Sequence, residues 1–109
     1  MICDVEIYNL QPDPMMPGTY NLQVKGKATP PAPGTMLMAE AKLFRTGATG
    51  SLGSASMSLD ATLPPQWWSC RIGPVQLTAG TDVIYARVDA NWSYMVNGST
   101  NVNSAPVPV

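Results

Sequence analysis

Leu77–Val96, LTAGTDVIYARVDANWSYMV, is the stretch that decides the fold. Every second residue from Ile84 onward is apolar: Ile84, Ala86, Val88, Ala90, Trp92, Tyr94 and Val96. Between them stand Arg87, Asp89, Asn91 and Ser93. Side chains on a strand point alternately to opposite faces, so this spacing predicts a strand with one face in a core and the other in water. A turn, Thr78-Ala79-Gly80-Thr81, precedes it. Asn97-Gly98 follows, the dipeptide that best tolerates the positive φ angles of a type I′ hairpin turn. Unbroken from Val83 to Val96, the strand would span about 46 Å at about 3.3 Å per residue, against an ordinary length of about 5–6 residues. A bend near Asp89-Ala90-Asn91 would divide it into two ordinary strands.

The same period recurs upstream. Cys3, Val5 and Ile7 alternate with Asp4, Glu6 and Tyr8. Tyr20, Leu22, Val24 and Ala28 face inward in the next run, with Asn21, Gln23, Lys25 and Lys27 outward. Proline-rich breaks at 11–18 and 29–34 separate these segments, since proline cannot donate to a sheet ladder. Residues 35–45 are rich in helix formers. Yet Leu37, Ala39, Ala41 and Leu43 keep the two-residue period among neighbours that are all strands, which predicts a strand here too. Residues 46–53 read as a loop and 54–61 as an edge strand. Along 66–77, Trp68, Cys70 and Ile72 fall on one face and Trp67, Ser69 and Arg71 on the other, with Gly73-Pro74 interrupting as a bulge.

Six or seven short strands separated by turns predict an all-β, two-sheet sandwich. Residues 1–103 form its single domain, and 104–109 are an extended Pro/Val tail, a linker or a docking strap. The run LTAGTDVIYARVDAN resembles the stretch of bacterial or phage immunoglobulin-like and fibronectin type III-like domains in which a Leu-x-x-Gly turn leads into the sixth strand. YNLQVKGKA and MLMAEAKLF are similar to their second and third strands. The resemblance implies an immunoglobulin-like sandwich of about seven antiparallel strands. It departs from antibody-type domains in lacking their Cys–Trp–Cys spacing and in placing Tyr85 on the outward register.

Composition narrows the function. A net charge of −1 gives no basic footprint for nucleic acid. No apolar run reaches the roughly 18 residues of a membrane span. The N-terminus lacks the pattern of a signal peptide, so the chain reads as a complete small protein, or else as a domain excised from an exported one. Charged residues are 12% of the chain, against a usual value of about 25%. That scarcity suits packed assemblies and extracellular modules.

Without histidine there is no Ser–His or Cys–His pair, and the seven acids are scattered. No cofactor, metal or catalytic site is expected. Asp82, Asp89 and Asn91 match no known calcium loop. Cys3 and Cys70 fall on inward registers, as a possible disulfide or as two buried thiols. Trp67 and Trp68 are adjacent, so one of them, Trp67 by register, points out of the core. Trp67, Tyr85, Met36, Met38 and Phe44 are the candidate partner contacts, unless sheet curvature or a neighbouring loop covers Trp67 or a one-residue shift buries Met36, Met38 and Phe44.

The expectation is a non-enzymatic structural protein in contact with protein subunits of a larger, repeated assembly. Its most concrete form is a decoration or accessory protein at the surface of a phage or virus particle. The alternative is an accessory or adhesive, possibly carbohydrate-binding, module of an extracellular bacterial protein.

Overall fold

The computed structural model describes residues 2–28, 36–59, 66–93 and 98–109, and at Ile2, Cys3, Ala28, Met36, Leu37, Leu59, Gln66, Trp92 and Ser93 it describes the backbone alone. Strands run in the order β1 (Ile2–Pro12), β2 (Thr19–Ala28), β3 (Met36–Arg45), β4 (Ser51–Ser56), β5 (Ser58–Leu59), β6 (Gln66–Gln76), β7 (Val83–Ser93), β8 (Gly98–Asn103) and β9 (Val107–Pro108). The first sheet has the order β1-β2-β6-β5. The second has the order β4-β3-β7-β8, with β9 also on β7. Every pairing is antiparallel. The chain is an all-β two-sheet sandwich. Apart from the two-residue β5 and β9, seven strands carry it.

The core follows the period-two reading. Leu22 and Val24 from β2, Leu43 from β3 and Ile84, Ala86, Val88 and Ala90 from β7 are at most 1% exposed. Burying a side chain the size of Val, Leu or Ile is worth about 1.5–3 kcal/mol, so this shared interior is what holds the two layers together. Residues 36–45 are strand rather than helix because they lie between β4 and β7, where a period of two puts Ala39, Ala41 and Leu43 into that interior. Strand β7 runs unbroken through Asp89-Ala90-Asn91, paired along its length with β3.

Four expectations need correction. First, Gly98 is not a turn residue but the first residue of β8. It lies opposite Trp92, with Ser99 opposite Asn91. Residues 94–97, with Tyr94 and Val96, lie outside the described residues.

Second, residues 54–61 are not one edge strand. Strand β4 already begins at Ser51 and pairs with β3, whereas β5 pairs with β6 in the other sheet. Met57, 6% exposed, is the residue between them, and its N–H donates to Ala39 O at 2.9 Å. Alternation continues across this hand-over, so sequence periodicity does not reveal it. Gly53 makes the close approach possible. A Cβ there would stand 3.1 Å from Ile72 Cγ2 and 3.2 Å from Val75 Cγ1, both on the facing sheet.

Third, residues 104–109 are not a free tail. Val107 and Pro108 pair with Ile84 and Val83. Gly80 N–H donates to Val109 O at 2.9 Å, and Val109 N–H to Asp82 O at 3.0 Å. Ser104 is buried, and Val107 and Val109 pack on the core. The segment completes the second sheet, so it is not a strap available to a neighbour.

Fourth, a Cys3–Cys70 disulfide does not fit. Cys70 is a free thiol. Cys3 lies opposite Lys27 and, through it, in line with Trp67, two strands across and three residues along from Cys70. Strand geometry makes that a Cα separation of about 14 Å, where a disulfide needs less than about 7 Å.

Two bulges shape the first sheet's edge strand. Pairing of β1 with β2 slips between Cys3 and Glu6 and again between Tyr8 and Gln11. Each slip contains a left-handed residue, Asp4 (φ 55°) or Asn9 (φ 52°), and Asp and Asn are among the types that adopt this region most readily. On β6, Gly73 and Pro74 lie opposite Asn21 alone, the expected bulge.

Candidate interaction surfaces

The candidate contact residues lie on opposite sides of the molecule. Met38, Phe44 and Tyr85, with the backbone of Met36, belong to the second sheet. Trp67 belongs to the first.

On the second sheet's outer face, Phe44 lies opposite Tyr85 in the ladder and the two rings stack, centroids 5.5 Å apart and planes 20° from parallel. The Arg87 guanidinium sits 5.0 Å from the Phe44 centroid and reaches Asp89 Oδ1 at 3.3 Å. Phe44 is therefore only 6% exposed, which removes it as a contact residue. It keeps the outward register and is buried by its cross-strand neighbours. Tyr85 is half-buried, with the ring that covers Phe44 forming part of the surface.

Further along the same face, Lys42 is 3.7 Å from Glu40 and 3.9 Å from Asp89. Met38 is 70% exposed beside these pairs. It flanks a depression of about 350 Å³ with Glu40, Ser56, Asp89 and Asn91. The ion pairs are solvent-exposed and worth little individually. Their consequence is that this face carries charge in balanced pairs around an apolar side chain.

The first sheet's outer face is organised around Lys25. Its Nζ lies 5.2 Å from the Tyr8 ring centroid, 5.5 Å from the Trp67 ring centroid and 3.7 Å from Glu6 Oε2. Trp67 is half-buried by this arrangement, while Trp68 turns inward and packs on the core, its Nε1 without a hydrogen-bond partner among the described residues. Beyond Tyr8 a polar depression of about 190 Å³ opens between Asn9, Gln11, Asn21, Gln23 and Arg71. Asn9 Nδ2 donates to Gln23 Oε1 at 2.8 Å, and Asn21 Nδ2 donates to Asp13 Oδ2 at 3.0 Å.

The Asp13 carboxyl is held below the usual carboxylate range by Asn21, then by the Met15 N–H at 2.8 Å. It fixes the β1–β2 turn, on which Met15 and Met16 are 86% and 49% exposed. Neither methionine carries a periodic signal, and the Tyr8–Lys25–Trp67 cluster becomes visible only once β1, β2 and β6 are known to be adjacent.

The remaining candidates have local duties. Cys70 is half-buried, and burial pushes its thiol up to about 11. Asp82 accepts from the Thr78 N–H at 2.7 Å and from Arg45 Nε at 3.2 Å, which hold its carboxyl below the usual range. Asp82 precedes β7 and Asp89 lies within it, with different cationic partners, so they do not converge with Asn91 on a common centre. Among the described residues, no group of three or more acidic or cysteine side chains could hold a metal ion, and no helix is long and apolar enough to cross a membrane. Compared with family models, with curated proteins and with solved structures, the chain matches none.

Proposed function

We propose that this protein is a non-enzymatic structural subunit that acts by surface contact within a repeated assembly, most concretely as a decoration or accessory protein on a phage or virus particle. The observation that carries this reading is Met38. It stands exposed in the middle of a regular strand, on a face whose charges are already paired with one another. Methionine is enriched at protein interfaces, where its flexible thioether adapts to a partner, and pre-paired charges lower the cost of removing that face from water. The low overall charge supports the same use.

The test is sedimentation of the purified chain from micromolar to near-millimolar concentration, alone and with particles from its source. Concentration-dependent association or co-sedimentation with particles, lost in Met38→Lys, is expected. A chain that stays monomeric throughout and never sediments with particles overturns the reading.

A further inference from the structure

We infer that the outer face of the first sheet binds an acidic saccharide. Tyr8 and Trp67 supply surfaces for sugar rings, and Arg71, Lys25 and Lys27 meet the ligand's carboxylate or sulfate groups. This inference is independent of the assembly reading, because it uses the opposite side of the sandwich.

Charge distribution comes first. The chain has six basic residues and a net charge of −1. Three of the six, Lys25, Lys27 and Arg71, project from adjacent strands of this one face, beside β1, which carries the acids Asp4 and Glu6, the latter 3.7 Å from Lys25. On the second sheet, Lys42 and Arg87 are offset by Glu40 and Asp89. Arg71 is exposed and donates no hydrogen bond among the described residues. The carboxylate whose field reaches it, Asp13, is already bonded to Asn21 and to the Met15 N–H. A planar guanidinium with open donors suits bidentate recognition of a carboxylate or sulfate.

Shape and hydrogen-bonding capacity point the same way. The depression beside Arg71 is walled by the amides of Asn9, Gln11, Asn21 and Gln23, which both donate and accept, as sugar hydroxyls require. Its volume of about 190 Å³ equals about six waters, the scale of one sugar ring. Two aromatic rings stand further along the same face, each within 5.5 Å of the Lys25 ammonium, which holds the group in place. A nucleic acid is disfavoured by the net charge, and a purely apolar partner by the amides and free cation.

The test is affinity electrophoresis and calorimetry of the whole chain at low salt with polygalacturonate, dextran sulfate, neutral dextran and poly-glutamate. Binding to either acidic polysaccharide, with the two separating carboxylate from sulfate recognition, and none to neutral dextran, is expected. Trp67→Ala and Arg71→Gln should each weaken it by about tenfold or more while melting cooperatively, and Met38→Ser should leave it unchanged. Should Trp67→Ala fail to fold, Tyr8→Leu takes its place. Absence of binding, equal binding to poly-glutamate, or either variant binding as wild type overturns the inference, the second outcome pointing to an acidic protein partner.

Discussion

Ser104 and Ala86 exchange two hydrogen bonds across the second sheet: Ser104 N–H donates to Ala86 O at 2.8 Å, and Ala86 N–H donates to Ser104 Oγ at 2.9 Å. Ladder pairing of β7 with β8 ends at Asn103, and its pairing with β9 starts at Val107. The serine hydroxyl therefore stands in for a backbone carbonyl at the gap. Ser104→Ala leaves the Ala86 N–H buried and unpaired, at a cost of about 1–3 kcal/mol. Urea denaturation reads this as a lower midpoint with an unchanged slope.

Phe44 and Met38 share an outward register but not a role. Phe44→Ala removes a side chain covered by Tyr85 and Arg87 and should cost about 3 kcal/mol. Met38→Ala, at an exposed position, should change stability by less than about 0.5 kcal/mol. Paired thermal melts of the two variants check the contrast, and comparable losses would refute it.

Gly73 has φ 149°, and a Cβ there would come 3.0 Å from Asn21 Cα and collide with the Asn21 side chain. Gly73→Ala should therefore cost about 1–3 kcal/mol, lowering the melting temperature by about 5 °C or more. Gly50 has nothing within 4 Å of its Cβ position. Gly50→Ala should be neutral or slightly stabilising, since it only restricts the unfolded chain.

Cys70, with its thiol raised to about 11 by burial, is protonated at neutral pH. Iodoacetamide should label it at least about a hundredfold more slowly in the folded chain than in denaturant, because the thiolate is the nucleophile. Equal rates would show that the thiol is neither shielded nor perturbed.

Acid should loosen the molecule through Asp82. Its folded carboxyl titrates below the usual range, chiefly because Thr78 N–H donates to it and then because of Arg45. A depressed value means that the contribution is fully present above the ordinary carboxylate pKa and is lost as pH falls through the folded value. The difference in melting temperature between wild type and Asp82→Ala should be constant near neutrality and shrink below about pH 4. A gap that persists at pH 2 would locate the effect elsewhere.

Where one face is buried and the other is wet, strand and register were legible in single residues. Val24 and Gln23, or Ile84 and Tyr85, already announce their sides. What escaped is whatever depends on a partner strand. Phe44 is covered because Tyr85 stands opposite and Arg87 lies over its ring. Ala55, Met57 and Leu59 keep one alternation while the chain changes sheets, because periodicity records inside and outside but not which layer supplies the neighbour. Val107 and Val109 give too short a pattern to distinguish a docked strand from a strap. The cluster around Lys25 joins residues from three strands far apart in sequence.

The crossing at Met57 has a mechanical consequence. One buried residue carries the chain from layer to layer, so that margin has no slack: parting the layers there must break the bond to Ala39 and wet the thioether in a single event. On the opposite margin β1 leans against β7 and β8 without a shared ladder. Breathing of the molecule should begin on that side, as a clamshell opens away from its hinge.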